Sequence, residues 1–385
     1  MLKNSELKQK KKALLLVLDG LGVGVMPDAP AQQKGANTVC HIVSPEQQAQ
    51  FPMLQRLGLF HVAESGRTSS TATIAGLGYP GADSYLGHNE ILGGHAPDTQ
   101  PDTVQSRFSA IVTALEQANY TVLPLSDNRA LWVNGGVLLS DNLENEPGMA
   151  INLAGTLDVV DMETLVSMAE VVRAQVRNPR VIAFATPEMS PAAILSAVHT
   201  TPEGLTGIDT PAVGFYKEGY QVRHLGVGFD AHQELPHLLV QKGYPVELIG
   251  KFADVAAWSD DAIPRRPIVD TAAVLEDTAR TWQHLSQGLI AANVQETDLA
   301  GHAQDVARSF QVLHMVDAWL QDFLPTLDAQ CLFVLTADHG NDPTYGPHHT
   351  REYAPVLTWG PLPYALQPMS DLRGVAQLLY TFFEK

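Results

Sequence analysis

Cysteine is scarce in this chain. Two residues in 385, Cys40 and Cys331, show no zinc-ligand or redox spacing, which excludes a cysteine-built metal site or a dithiol pair. Cys331 opens the strand-like run 331–335 and reads as a reduced core thiol. Basic residues are also few: 24 Lys and Arg stand against 42 Asp and Glu, for a net charge of −18. Nucleic-acid binding rests on phosphate neutralisation by Lys and Arg, so a nucleic-acid partner is excluded. Long apolar runs are missing as well. The run 13–18 is too short to span a membrane, and no signal-peptide cleavage pattern follows the Lys-rich residues 1–12. The expectation is a soluble, cytoplasmic protein with a frayed tail ahead of a buried strand and no membrane partner. There is no low-complexity block and no internal repeat. A composition of 45% hydrophobic and 17% charged residues is ordinary for a globular protein, and the length suggests roughly two to three domains.

What is present is an alternation of buried-strand and helix patterns. The unbroken apolar run 13–18 ends in Asp19-Gly20-Leu21-Gly22, and less pure runs recur at 245–250, 289–294, 332–335 and 354–359. Continuous apolar runs bounded by glycine fit parallel strands buried on both faces. Between them, residues 270–285 place Val274, Trp282 and Leu285 near one helix face, with Asp270 as N-cap. Val306, Phe310, Leu313, Val316, Leu320 and Phe323 recur at helical steps. The predicted fold is therefore α/β: a doubly wound, mostly parallel sheet with its active residues at the carboxyl ends of the strands. Residues 97–222 break the alternation, with a polar turn at 141–149, a helix near 162–176 and a strand at 180–185. They read as a smaller α/β domain inserted into a core of residues 1–96 and 223–385.

Three acidic and histidine clusters lie in the core. Asp19 closes the first strand, Asp298-Leu299-Ala300-Gly301-His302 follows the run 289–294, and Asp338-His339-Gly340-Asn341-Asp342 follows the run 332–335, with His348 and His349 beyond it. Asp298 and His302, four residues apart, share one face of a helical turn. Alone, that pair reads as well as an ordinary surface pair. Asp338 and His339 would point to opposite faces of a regular strand, but a turn at Gly340 lets both converge. Mixed Asp and His sets suit Mn²⁺ or Zn²⁺, whereas Ca²⁺ takes mostly oxygen ligands. Two such ions a few ångströms apart hold a phosphoryl group and stabilise entering and leaving oxygens. In an acidic chain, bound metal also supplies the local positive charge that an anionic substrate needs. Ser84, in Gly81-Ala82-Asp83-Ser84-Tyr85-Leu86-Gly87-His88-Asn89-Glu90, is the candidate nucleophile. The plainer reading is that Asp83 and Ser84 cap the following helix.

These motifs resemble those of the phosphopentomutases and, more broadly, the alkaline phosphatase superfamily of metalloenzymes. The resemblance rests on Leu18-Asp19-Gly20-Leu21-Gly22-Val23-Gly24 with Pro27-Asp28-Ala29, on residues 336–343, and on His349-Thr350-Arg351-Glu352-Tyr353. It covers about two-thirds of the chain and fades in the insertion. It implies one metal held by Asp19, Asp338, His339 and the nucleophile at Ser84, and a second held by Asp298, His302 and His349. It also implies a mobile cap over a sugar phosphate, with Arg180, Lys251 and His88 contacting substrate. Two divalent ions are expected, Mn²⁺ first, with Zn²⁺ or Mg²⁺ as alternatives.

The chain departs from the phosphopentomutase pattern in places. That family has Thr-Gly-His-Trp-Glu where this chain has Leu86-Gly87-His88-Asn89-Glu90. Its acidic ligand before Gly301-His302 lies one residue farther away. Its Ser-Ala-Asp sugar-binding motif and Arg-rich loop are missing from the insertion. A phosphomutase working on a small sugar phosphate through phosphoserine is the leading expectation. A phosphoester hydrolase with the same two-metal site is the alternative, and a non-catalytic metal-binding paralogue is the third.

Overall fold

A computed structural model describes residues 10–96, 98–143, 148–256 and 263–385. Most of the expected frayed tail, residues 1–9, and residues 144–147 of the expected polar turn lie outside them. The chain divides into two compact units, Met1–Ala96 with Phe229–Lys385, and Pro97–Gly228. In chain order the first unit begins with β1 (Lys12–Leu18) and β2 (Ala72–Ala75). The second carries β3 (Val122–Leu125), β4 (Ala130–Val133), β5 (Val137–Asp141), β6 (Ala150–Thr156), β7 (Arg180–Thr186), β8 (His199–Thr200), β9 (Thr206–Gly207) and β10 (Gln221–Gly226). The first unit resumes with β11 (Val246–Ile249), β12 (Arg265–Arg266), β13 (Gly288–Val294), β14 (Cys331–Thr336) and β15 (Ala354–Trp359).

The first unit is built on a seven-stranded sheet in the order β12-β11-β13-β1-β14-β15-β2. Pairing is parallel from β12 to β14. β15 instead runs antiparallel to both β14 and β2. The apolar run 354–359 looks like the parallel strands, but no helix intervenes between β14 and β15, and a parallel return needs a crossover. Two groups of helices pack on this sheet. Thr271–His284 packs on Val306–Phe323, which also packs on Pro52–Leu57, while Arg373–Glu384 packs on Ser84–Ile91 and Leu235–Gln241. Asp270 caps the first of these by accepting from the Ala273 N–H. The register sets Leu18 opposite Val294 and Val17 opposite Thr336. The chain therefore leaves β1, β13 and β14 at one end of the sheet, side by side.

The second unit has a six-stranded sheet, β10-β7-β6-β5-β4-β3, in which only β6 and β7 run parallel. Alternate residues bury two cores. Leu131, Val133, Leu139, Leu153 and Val181 belong to one, and Ala130, Trp132, Leu138, Ala154 and Ile182 to the other, as the two-residue period of a strand requires. The expected boundary at residue 222 falls inside β10, so this unit runs on to Gly228. β10 is a partly exposed strand that pairs, among the described residues, only with β7, and it carries no apolar run that would reveal it.

Candidate metal centre

Asp19 is the first residue beyond β1. Its N–H donates to the Val294 carbonyl at 3.1 Å and its carbonyl accepts from Thr297 Oγ1 at 2.6 Å. Asp338, two residues beyond β14, is fully buried and accepts from the Gly20 N–H at 3.0 Å. Gly20 has φ +73°, and a Cβ there would press on Asn341 and Asp298, so only glycine suits this crossing of loops. The backbone bends at Asp338 and His339, as expected, and Gly340 follows the bend. Its φ is not positive. Instead it exchanges hydrogen bonds with Thr350, and a side chain would collide with Glu352.

Ser84 begins the helix Ser84–Ile91, and Asp83 caps that helix by accepting from the Leu86 N–H at 3.0 Å. The helix-cap reading therefore holds for Asp83. The Ser84 hydroxyl donates to Asp338 Oδ2 at 2.7 Å and lies 3.4 Å from Asp19 Oδ1. Lys251, just past β11, donates from Nζ to Ser84 Oγ at 2.8 Å and to Asp19 Oδ2 at 2.5 Å. Its Nζ is also 3.9 Å from Asp298 Oδ2. His88, one turn after Ser84 and fully buried, has Nδ1 3.0 Å from Asp338 Oδ2.

Asp298 and His302 sit on the helix Glu296–His302, with His302 Nε2 3.4 Å from Asp298 Oδ2. His349 Nε2 is 3.4 Å from Asp298 Oδ1 and 3.1 Å from His302 Nε2. Second nitrogens are anchored: His349 Nδ1 faces the Ala82 carbonyl at 2.8 Å and His302 Nδ1 the Pro347 carbonyl at 2.6 Å. His339 stacks on His349 with ring centroids 3.9 Å apart, and its Nε2 lies 3.7 Å from Asp19 Oδ1. It thus bridges the two halves of the cluster. His348 is exposed beside it. Arg180 opens β7 in the second unit.

Electrostatics mark the cluster as a cation site. Burial and the Asp338 charge push the Asp19 carboxyl up to about 6, against the pull of Lys251. Asp338 and Asp298 are also buried, yet the imidazoles beside them hold both well below the usual carboxylate range. Burial disfavours charge on Lys251, but Asp19, Asp298 and Asp338 outweigh it and hold the ammonium above its ordinary value. Burial likewise opposes charge on His339, and the Asp338 charge prevails, raising it to about 10. The buried His339 Nε2 approaches Asp338 Oδ2 to 3.1 Å but makes no properly directed hydrogen bond. A buried ring nitrogen without a partner is costly unless something else satisfies it. Two sets, Asp19–His88–Asp338 and Asp298–His339–His349, bring one ligand atom each within 4.8 Å of the others. The carboxylates of these sets and the imidazoles of His339 and His349 are donors that fit divalent transition ions.

Several residues that hold this arrangement were given no role of their own from sequence, and Asn293 was not named at all. Asn293, fully buried near the end of β13, donates from Nδ2 to Asp19 Oδ2 at 3.2 Å. Its signal was available: it is the one polar side chain in an otherwise apolar strand. Asn341 donates to Asp298 Oδ1 at 2.8 Å. Glu352, fully buried, accepts from the Gly24 and Thr38 N–H groups and from the Thr38 and Thr350 hydroxyls. Arg351 bonds Asp28 and the carbonyls of Leu77, Tyr79 and Gly81, which fixes the loop leading into Ser84.

A parallel sheet whose strand ends gather carboxylates and imidazoles around one buried hydroxyl defines a metal-binding α/β protein. The chain belongs to the Metalloenzyme superfamily, whose family model matches residues 11–372. A phosphopentomutase from Dictyoglomus turgidum is 26% identical over 396 residues, covering 97% of this chain and 94% of the relative. One from Syntrophotalea carbinolica is 26% identical over 381 residues, covering 92% and 89%. Among solved structures, Leishmania mexicana phosphoglycerate mutase at low cobalt concentration aligns with a TM-score of 0.46 at 13% identity, over 98% of this chain and 96% of that one.

Proposed function

We propose that this chain is a metal-dependent phosphomutase that moves a phosphoryl group between positions of a small sugar phosphate, with Ser84 carrying the group in transit. The observation that supports this best is the placement of Ser84 Oγ. It is buried at a helix start, 2.7 Å from Asp338 and 2.8 Å from Lys251, among the candidate ligands. Similarity to enzymes named phosphopentomutase supports the same reading. In it, Asp19, Asp338 and His339 hold one divalent ion with Ser84, and Asp298, His302 and His349 hold the other. Mixed ligands favour Mn²⁺, with Zn²⁺ or Mg²⁺ as alternatives. When bound, a pair of ions stabilises charge on the entering and leaving oxygens of a phosphoryl transfer.

The chain's own groups supply the rest. The Ser84 proton is directed at Asp338 Oδ2, which leaves a lone pair of Oγ for attack. Lys251 donates to the same oxygen, and its charge favours loss of the proton. The first N–H groups of the helix and the positive end of its dipole favour an anion beside Ser84. In the first half-reaction phospho-Ser84 gives its phosphoryl group to a free hydroxyl of the sugar phosphate: the Oγ–P bond breaks as the new ester P–O bond forms, and the hydroxyl proton passes to Oγ. In the second, Oγ takes the phosphoryl group from the original position: the Oγ–P bond forms again as that ester P–O bond breaks, and the Ser84 proton goes to the sugar oxygen released.

If water takes the group instead, phosphate is released. Hydrolysis is the second reading, favoured by the four-residue step from Asp298 to His302. Asn89 favours it too: it stands where the phosphopentomutases have tryptophan, and its amide is tied to the Tyr85 and Val255 carbonyls rather than offering a ring to a sugar. Incubation with a sugar bisphosphate and Mn²⁺, followed by intact-mass analysis, tests the proposal. An adduct of about 80 daltons is expected on Ser84 and none on Ser84→Ala. A chain that takes up the ion but forms no adduct contradicts it.

A further inference from the structure

Ser84, His88 and Asp338 lie close enough to suggest a serine–histidine–aspartate relay, in which the imidazole takes the serine proton. The ring's hydrogen bonds say otherwise. In such a relay the serine and the carboxylate face opposite ring nitrogens. Here both face the same one: Nδ1 of His88 lies 3.3 Å from Ser84 Oγ, 3.0 Å from Asp338 Oδ2 and 2.9 Å from the Ser84 carbonyl. A carbonyl oxygen and an ionised carboxylate only accept, so the nitrogen they surround carries a hydrogen.

The other ring nitrogen gives the same answer independently. Nε2 of His88 lies 2.8 Å from Nδ2 of Asn293. That amide nitrogen also lies 3.2 Å from Asp19 Oδ2, an acceptor, so the NH₂ end of Asn293 is the end that faces the cluster. Its two hydrogens divide between Asp19 and His88, which requires a lone pair on Nε2. Both residues are fully buried, and Phe252 packs edge-on against the imidazole at 4.9 Å between centroids, so neither can turn to trade partners.

We infer that Asn293 is a positioning residue that holds His88 as the Nδ1–H tautomer. His88 then donates to Asp338 and to the Ser84 carbonyl, and it cannot be the base for Ser84. Asn293 thereby joins three things: the Asp19 carboxylate, the ring orientation of His88, and through that ring the Asp338 carboxylate that receives the Ser84 hydroxyl. The catalytic consequence rests on the phosphomutase reading, whereas the tautomer does not.

The test is ¹H–¹⁵N long-range correlation spectroscopy of the full chain labelled at histidine and loaded with diamagnetic Mg²⁺, with the His88 signals identified by their loss in His88→Gln. Nε2 is expected in the pyridine-type range and Nδ1 in the pyrrole-type range. In Asn293→Ala the Nε2 signal moves toward an average of the two forms. Asn293→Asp, which puts an acceptor of the same shape against Nε2, draws the hydrogen there. An Nε2–H ring in the unmodified chain overturns the inference, as does a tautomer unmoved by both substitutions. The unmodified chain gives the first reading, so a variant that fails to fold leaves the test intact. Absence of a Ser84 adduct would sink the phosphomutase reading and leave this result standing.

Discussion

The Lys251 ammonium stands 2.5 Å from the Asp19 carboxylate and 3.9 Å from that of Asp298, in a site built to receive divalent cations. In the ion-free chain its charge is set against the buried carboxylates of Asp19, Asp298 and Asp338. Its removal therefore falls hardest on the ion-free state. Lys251→Met is expected to destabilise chelator-treated protein by about 3–5 kcal/mol, the scale of a broken buried ion pair. With saturating Mn²⁺ the loss is smaller. Thermal melts with and without chelator read the difference, and equal losses in both states would refute it.

Ion uptake is expected to release protons. A ligating imidazole must present a lone pair, yet His339 in the ion-free cluster is raised to about 10. At pH 7.5, below that value, the ring is protonated and binding expels the proton. Asp19, at about 6, is already ionised there and contributes none. As pH falls through 6, Asp19 gains a proton that must also leave, so affinity drops further. Calorimetric titration with Mn²⁺ in two buffers of different ionisation heat gives the count. At least one proton per chain is expected at pH 7.5.

Glu90 offers a stability test away from the reacting atoms. Burial pushes its carboxyl up to about 7, against hydrogen bonds from the Gly78 and Leu372 N–H groups. Because the folded value lies above the ordinary 4.5, the folded state binds more protons between the two. The stability cost is absent below about pH 4.5, accumulates as pH rises to 7, and is then constant. Glu90→Gln is expected to be stabilising at pH 8 by at most roughly 3 kcal/mol, with the gain vanishing near pH 4.5. Denaturant melts across that range supply the profile; a gain that does not grow with pH rules the idea out.

Arg351 is expected to act on Ser84 from a distance. Arg351→Lys keeps a charge but loses the fork that bonds three loop carbonyls and Asp28. One buried carbonyl left unpaired costs about 1–3 kcal/mol. Faster amide exchange over residues 77–86 should accompany slower formation of the Ser84 adduct. Unchanged exchange in that segment would show that Arg351 does not hold the loop.

Strand ends were the legible part of this molecule. Asp19, Asp298 and Asp338 each follow an apolar run, and neighbouring parallel strands bring such positions together whatever the sequence distance between them. Asp270 and the apolar stripe of 306–323 announced their helices in the same local way. Less could be read where a residue's meaning depends on a distant partner. Glu352 stands in a motif with no role of its own until Thr38, 314 residues earlier, is seen to donate to it. Asn293 is a polar letter in a strand until Asp19 and His88 arrive on either side. The short strands β2 and β12 have too few residues to carry a period, and the polar edge strand β10 has no apolar face to show.

The central claim is that phosphate moves between positions of one sugar without leaving for water. The direct test is ³¹P NMR of sugar 1-phosphates incubated with the Mn²⁺-loaded chain and a trace of the matching bisphosphate, quenched with chelator. The 1-phosphate signal is expected to be replaced by that of a primary phosphate ester at constant total ester, with Ser84→Ala inert. Inorganic phosphate as the sole product would contradict it and establish the hydrolase.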